Sequence, residues 1–501
     1  MNLPFRFSNG RGWLSSALLS SCLALPPASK AQQAGNVNLE PSQQLFCVMA
    51  ALNAGGYDTG AGLDTGDDTR EQVRRLLAKK KIPIVPEIAK FYSDHRIAGD
   101  PGADLGQYVS LALLLGSPPD FHFLVPQTDL PPDAKGVMGL VPLLRRFYLE
   151  ASLSDLWERV EPRYQAAVAR YSDPIRRMVA LSDAYFRFAS GSYLGLTYTI
   201  EVDLLAAPEQ VQARIYGLNY HVVVTPSKAL KIGEIRHQYL HFLLDPLAAK
   251  YAQEIQQKSV LKALARTAPS LAADFKEDFA LLVTECLTRA SELRMDKHPK
   301  AETEKTASDL TASGLILVPY FYSALEDYEL QEASMRVVYK QMVLAIDPRS
   351  ELKRLASVKF APPPAAQAEP ATAVSEEARL LDQGDNSIYR GEYREARAAF
   401  QAVLEKFEPR SERALFGLAV AASNTRKPDL AEEYFQKTLE AAHDLRLVTW
   451  SHIYLGRLYD LKGNREDALR QYRAASLTAG PYPEALLAVQ GGLRRPFGSK
   501  D

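Results

Sequence analysis

This 501-residue chain has almost no net charge, few cysteines and few long apolar runs. Each of these features excludes a class of protein. Its 59 basic and 60 acidic residues give a formal net charge of −1, so nothing indicates a nucleic-acid partner. Three cysteines are too few for a fold built on disulfides. After residue 31 no apolar run is long enough to span a bilayer, so we expect no transmembrane helix there. The remaining composition, 47% hydrophobic and 24% charged, predicts a soluble globular protein of two or three domains.

Residues 1–31 differ from the rest of the chain. Arg6 and Arg11 precede the apolar residues 13–25, and Ser29-Lys30-Ala31 then places small side chains at the −3 and −1 positions of a cleavage site. This is the layout of a secretory signal peptide, so we expect cleavage after Ala31 and export to a periplasmic or extracellular space. The alternative is that Leu19-Ser20-Ser21-Cys22, which resembles a bacterial lipobox, makes Cys22 the site of a lipid anchor.

Residues 36–190 predict a helical N-terminal region without a catalytic motif. We expect a helix break at Asp173-Pro174, because the residue before a proline is disfavoured in the α conformation. Cys47 in this region and Cys286 later in the chain both lie in apolar helical stretches. That setting favours buried free thiols, and a disulfide between the two cysteines stays open.

From residue 191 the apolar residues change from a helical to an alternating period. Residues 197–205, 213–216 and 220–225 are rich in β-branched and aromatic side chains and predict three strands. A helical segment follows, and the proline of Asp245-Pro246 should end or kink it. We therefore expect a domain over residues 191–360 in which a small sheet precedes a long helix.

The long helix contains His237-Gln238-Tyr239-Leu240-His241, with two histidines four residues apart. At 3.6 residues per turn both imidazoles lie on one face of the helix and can reach a single metal ion. The pattern differs by one residue from H-E-x-x-H, in which the glutamate is the general base of zinc peptidases. Gln238 occupies that position, and its neutral amide cannot take a proton from water. The sequence thus keeps both ligands and lacks the base.

This order of strands and a helix with paired histidines resembles the zincin fold of metallopeptidases, in its gluzincin branch. The resemblance implies Zn²⁺ as cofactor, a small twisted sheet over the histidine helix, and an edge strand that pairs with peptide substrate, here His221 to Thr225. It also implies a third ligand on a following helix, for which Glu285 is the best match.

Two acidic residues near the motif need separate interpretation. Glu285 could instead belong to an exposed acidic face, because Asp278, Glu285 and Glu292 recur every seven residues beside an apolar stripe. Asp245 lies eight residues after His237, about 12 Å along a straight helix, which is too far to share an ion with both histidines. We expect Asp245 to accept the Nδ1–H of a histidine and so orient its ring.

Residues 361–375 are rich in alanine and proline and predict a linker that isolates the C-terminal region. A pattern recurs after it: Ala396 and Phe400, Ala431 and Phe435, and Ala468 and Tyr472 each lie four residues apart. The units are about 35 residues apart, and the region resembles the tetratricopeptide repeat, a helix–turn–helix of similar period. The resemblance implies about three repeats over residues 376–490, with a groove over residues 376–480 that binds a protein or peptide partner.

Together the segments predict an α+β, predominantly helical protein: a zincin-like domain with a small twisted sheet, then an all-α repeat solenoid. Three functions stay open. The first is an exported zinc-binding protein that is impaired or inactive as a peptidase and binds partners through its repeats. The second is an active metallopeptidase whose base comes from elsewhere, for instance Glu234 or a carboxylate near Tyr328. The third is a metal-free adaptor in which the repeats do all the binding.

Overall fold

A computed structural model describes residues 37–97, 99–188, 196–362, 376–480 and 482–499. The predicted signal peptide, the alternative lipid anchor at Cys22 and residues 363–375 of the predicted linker lie outside these ranges. The described chain is mostly helical with one small mixed sheet, as the α+β prediction requires. No helix in these ranges combines the length and apolar character needed to cross a membrane.

The sheet has four strands in the order β1-β2-β4-β3. They are β1 (Val37–Pro41), β2 (Thr197–Val202), β3 (Val211–Tyr216) and β4 (Asn219–Val224). β1, β2 and β4 run parallel, whereas β3 pairs antiparallel with β4 through a hairpin in which Gly217 has a φ of 62°. The three strands predicted from the alternating period are therefore confirmed.

Two predictions about the sheet are wrong. The N-terminal region, expected to be helical, begins with β1, which extends the sheet beside β2. The strand that contains His221 is not the edge strand, because β4 lies between β2 and β3. Val222, Val223 and Val224 are fully buried, as suits an inner strand, whereas β3 is half-exposed along most of its length. The edge strands are β3, beside β4, and β1 on the opposite side of the sheet.

The helices between β1 and β2 pack around one continuous hydrophobic core with the sheet. They are α1 (Gln43–Ala54), α2 (Thr69–Ala78), α3 (Val85–His95), α4 (Pro101–Leu113), α5 (Pro132–Gly136), α6 (Leu140–Glu150) and α7 (Leu153–Phe186). The predicted break at Asp173-Pro174 is wrong, since α7 continues through it. A proline removes one helical hydrogen bond, but the buried stripe of Tyr171, Ile175 and Met178 continues across it and holds the helix.

The central helices follow the hairpin of β3 and β4. They are α8 (Ile232–Lys250), α9 (Ala252–Gln256), α10 (Val260–Ala265), α11 (Ala273–Glu277), α12 (Phe279–Asp296), α13 (Lys300–Ala312), α14 (Val318–Glu329), α15 (Met335–Leu344) and α16 (Pro348–Leu355). α8 carries the paired histidines and packs on the sheet through Phe242, whose ring lies 5.4 Å from Tyr198 and 5.1 Å from Tyr220. It continues through Pro246 rather than ending at Asp245, for the same reason as α7.

The C-terminal region is a series of helical pairs. They are α17 (Glu376–Arg390) with α18 (Tyr393–Lys406), α19 (Glu412–Asn424) with α20 (Pro428–Ala441), and α21 (Leu445–Leu461) with α22 (Arg465–Thr478), followed by α23 (Pro483–Arg494). The alanines of the repeat pattern are fully buried, and Phe400 fills the space against Gly384 and Gly417. The predicted three helix–turn–helix units are confirmed.

The predicted linker implied that the repeats are isolated from the rest of the chain. The structure instead shows that they pack against it. α23 packs against α8, and α22 contacts β3. A hydrophobic cluster joins Leu281 of α12 to Ala475, Tyr482 and Ala485 of the repeat region. The apolar outer side of the last repeat is therefore covered by the sheet and the histidine helix.

Candidate metal centre

His237, His241 and Glu285 converge on one point between α8 and α12. The Nε2 atom of His241 lies 2.9 Å from Glu285 Oε2, and the Nε2 atom of His237 lies 3.4 Å from the same oxygen. One ligand atom from each residue lies within 4.8 Å of the other two. The structure thus brings together the three residues that the sequence predicts as metal ligands.

α12 places Glu285 because its acidic side turns inward. Asp278 caps the helix by accepting a hydrogen bond of 2.9 Å from the Leu281 N–H, and it is almost fully buried. Glu285 is only 4% exposed and lies on the side of α12 that faces α8. The alternative interpretation of an exposed acidic face is therefore wrong for these two residues. The packing of α12 against α8 determines which way this acidic face points. The spacing of residues in the sequence does not indicate that packing.

A second layer of carboxylates holds the other nitrogen of each imidazole. His241 Nδ1 lies 3.0 Å from Asp245 Oδ1, and His237 Nδ1 lies 3.3 Å from Glu292 Oε1. Asp245 thus stands where the sequence places it, behind a histidine. The role of Glu292 was missed, although it was part of the seven-residue acidic series. Such carboxylate partners fix the ring orientation and leave each Nε2 free to bind a metal ion.

Arg289, which the sequence prediction also missed, links the two glutamates of α12. Its Nε donates to Glu285 Oε1 at 2.8 Å, and its NH1 lies 3.1 Å from Glu292 Oε2. One turn of helix separates Arg289 from Glu285, so the pairing was readable once Glu285 was placed inside. The guanidinium leaves Glu285 Oε2 directed toward the histidines.

Charges in the cluster favour a divalent cation. Burial acts to lower the pKa of His241, but the carboxylates of Asp245 and Glu285 outweigh it and raise this pKa to about 10. Burial acts to raise the pKa of Glu285, yet hydrogen bonds from both histidines hold it well below its usual range. When a metal ion displaces the extra imidazole protons, the three carboxylates exceed the single guanidinium by two negative charges, which a divalent cation would balance.

The donor set also fits zinc in kind and in spacing. Two imidazole nitrogens and a carboxylate oxygen are a usual three-residue set for zinc. Ligand atoms about 2.0–2.1 Å from a tetrahedral zinc ion lie about 3.3 Å from one another. The separations of 2.9 and 3.4 Å are close to that value. All three ligand atoms lie within 4.8 Å of one another, so the side chains are close enough to converge on one ion.

Gln238 borders a cleft that is lined mainly by α8, α12 and α13 and touches β3 at Val211. The cleft has a volume of about 600 Å³ and is also lined by Val211, His237 and Arg289. Glu234, one alternative base, lines the same cleft, half-exposed and 3.4 Å from the ammonium of Lys231. The other alternative does not reach it: Tyr328 is buried against Tyr185, and the adjacent Glu329 pairs with Arg294.

A family model described as tetratricopeptide repeat matches residues 381–444, from within α17 to the turn before α21. This match and the paired helices show that the chain contains tetratricopeptide repeats, a module that typically mediates protein–protein interaction. Neither curated proteins nor solved structures give a significant match. The zincin resemblance of residues 191–360 therefore stays a prediction.

Proposed function

We propose that this chain binds Zn²⁺ through His237, His241 and Glu285, is impaired or inactive as a peptidase, and binds protein partners through its repeats. The observation that supports the metal proposal is the direction in which the ring nitrogens of the two histidines point. Both Nε2 atoms face one oxygen of Glu285, while each Nδ1 faces a carboxylate behind it. Histidines that bind metal almost always have such a partner on the second nitrogen. A pair of histidines that merely fills a core needs no such arrangement.

The residue at the base position limits what the centre can do. Bound zinc would supply a Lewis acid beside the cleft. Gln238 can hold a water molecule there by hydrogen bonds, but it cannot accept the proton that hydrolysis releases. The second candidate is an active metallopeptidase in which Glu234 acts as the base. The exposure of Glu234 to the same cleft favours this candidate.

Export is part of the proposal and rests on the sequence. The two arginines, the apolar residues 13–25 and Ser29-Lys30-Ala31 support cleavage by a signal peptidase, with a lipid anchor at Cys22 as the alternative. N-terminal sequencing of the envelope or secreted fraction should find Gln32 first, or a blocked Cys22. An intact Met1 in that fraction would contradict both versions.

Zinc analysis of protein purified without a histidine tag tests the metal proposal. We expect one zinc per chain in the native protein and none after His237→Ala, His241→Ala or Glu285→Gln. Asp245→Asn and Glu292→Gln should weaken zinc binding about 10–100-fold, because they only orient the ligands. His298→Ala is the matched control, since His298 lines the cleft without contacting the cluster. Absence of zinc from the native protein would support the metal-free adaptor.

A further inference from the structure

A second cavity, of about 570 Å³, lies in the N-terminal helical region, where the C-terminal ends of α1 and α2 meet the start of α3. It shares no lining residue with the cleft beside His237. Its volume is in the range of cavities that hold a small molecule. We call it the α2 cavity.

The walls of the α2 cavity are apolar. The only neutral polar side chain on them is that of Asn53, and both ends of its amide are engaged. Its nitrogen donates to the carbonyls of Met49 at 2.8 Å and Leu205 at 3.0 Å, and its oxygen accepts from Arg70 Nε at 2.8 Å. The walls therefore suit the apolar part of a ligand better than a sugar or a nucleotide base, which would lose hydrogen bonds there. The apolar lining residues are Ala54, Leu77, Ala78, Ile82, Val85 and Pro86.

The charged residues that line the α2 cavity are all basic. They are Arg74, Arg75 and Lys80, and no acidic residue joins them. Arg75 and Lys80 are exposed, so they border the side of the cavity that meets solvent. Lys80 is also held in place, since its Nζ donates to the carbonyl of Ala151 at 2.5 Å. That bond fixes the ammonium and leaves its charge uncompensated.

The carboxylates of neighbouring elements do not neutralise these cations. Asp68 pairs with Arg163, and Arg146 lies 3.0 Å from Glu87 and 3.4 Å from Glu150. Residues 72–86 contain five basic residues and no acidic one, in a chain whose net charge is −1. Within the part of the chain that the structure describes, no ion pair joins any of these five to a carboxylate.

The end of α2 explains only part of this positive charge. A helix C-terminus carries a partial charge of about −0.5, which a single nearby lysine balances. Residues 74–81 supply five cations and therefore exceed that need several-fold. Their mutual repulsion is relieved by an anion bound among them.

We propose that the α2 cavity binds an amphiphile that has an apolar chain and an anionic headgroup. The chain lies against the walls at Leu77 and Ile82, and the headgroup lies between Arg74 and Arg75, whose guanidinium groups donate paired hydrogen bonds to a carboxylate or a phosphate. A neutral or cationic amphiphile lacks the second contact, and a small inorganic anion lacks the first. This site is separate from the candidate metal centre and does not depend on it.

Isothermal calorimetry on the full-length chain tests the class of ligand. Dodecyl phosphate and dodecanoate, each below its micelle-forming concentration, are the probes. Both should bind at least about tenfold more tightly than dodecyl maltoside, dodecyltrimethylammonium or inorganic phosphate. Higher ionic strength should weaken their binding, because the arginines are partly open to solvent.

Two variants locate the site. Arg74→Gln combined with Arg75→Gln should weaken binding of both anionic probes at least about tenfold. Arg176→Gln combined with Arg177→Gln is the matched control, since it removes two adjacent exposed arginines from α7 and should change the affinity less than about twofold. Ala78→Trp fills the cavity from an exposed position and should abolish binding. Circular dichroism melting confirms that the variants fold.

Sedimentation with vesicles identifies the source of the amphiphile. A chain that sediments with phosphatidylglycerol vesicles but not with phosphatidylcholine vesicles, and loses this in the variant at Arg74 and Arg75, takes its ligand from a bilayer. A chain that binds the soluble probes and stays free of both vesicles takes a dissolved amphiphile. No binding of either anionic probe, equal binding of anionic, neutral and cationic probes, or binding that survives Ala78→Trp would overturn the inference.

Discussion

Gln238 lies between the two candidate ligand histidines on α8 and borders the cleft beside them. Glutamine and glutamate have the same shape, so the amide leaves the packing of the helix unchanged. They differ in proton affinity, since a carboxylate accepts a proton from water and an amide does not. A single replaced group thus separates a zinc-binding cleft from a hydrolytic one.

Gln238→Glu should leave zinc content unchanged and raise the rate of peptide hydrolysis, because a positioned general base contributes about 10²–10⁴-fold. A fluorogenic peptide assay measures the rate. Gln238→Glu combined with His241→Ala is the control and should show no gain. Vigorous hydrolysis by the native chain that Glu234→Gln removes would instead assign the base to Glu234.

The convergence of the three candidate ligands was predictable at this scale, and the residues that support them were not. Four-residue spacing places two histidines on one face of any helix, and the zincin resemblance supplies a third ligand. Glu292 and Arg289 act only because α12 turns its acidic side toward α8. That rotation follows from long-range packing, which leaves no mark in the seven-residue acidic series.

At the scale of helices and strands, two prolines predict helix breaks that the structure does not have. Pro174 and Pro246 lie inside α7 and α8, where the local preference of the preceding residue argues for a break. Burial of the flanking apolar stripe outweighs one lost hydrogen bond, so both helices continue. β1 was missed for a related reason: a five-residue strand has little period of its own and gains its stability from β2.

Small residues where repeat helices meet were predicted correctly, and they can be tested with a matched pair on α18. Ala396→Leu adds bulk at a fully buried contact and should destabilise the repeats by about 1–3 kcal/mol through overpacking. Ala398→Leu, the same change at an exposed position of the same helix, should stay within about 0.5 kcal/mol. Hydrogen exchange of α17 to α19 in the full chain measures the opening free energy. Equal effects of the two changes would contradict the repeat packing.

At the scale of the whole molecule, the repeats pack against the region that carries the candidate metal centre. The alanine- and proline-rich linker predicts independence because its composition cannot pack. The repeats are not independent, because the apolar side of α22 and α23 is buried against β3, α8 and α12. A partner that binds the repeat groove and shifts the third repeat would therefore also disturb its packing against β3 and α8.

The contact between the repeats and α12 contains two carboxyl groups that should make it sensitive to pH. Burial raises the pKa of Asp278 to about 7, and the charge of Glu484 on α23 adds to this, while Lys262 acts against it. Burial also raises the pKa of Glu484. Asp274, Asp444 and Arg446 complete the charged groups of the neighbouring contact.

The sign follows from the direction of both shifts. Below about pH 4 these carboxyls are protonated whether the contact is formed or open, so they impose no penalty. Between about pH 4 and 7 the open form ionises while the closed form keeps its protons, and the free energy of opening falls as pH rises. For Asp278, a pKa of about 7 against an ordinary 3.8 is equivalent to about 4 kcal/mol.

Hydrogen exchange of α23 in the full chain should therefore show protection that declines from pH 5 to 7.5, after correction for the intrinsic exchange rate. Glu484→Gln removes one of the two charges and should flatten most of this decline. Glu466→Gln, at an exposed carboxylate on α22, should leave the decline unchanged. If protection of α23 rises with pH, the two carboxyls do not share the buried contact, and apolar packing alone holds α23 against α12.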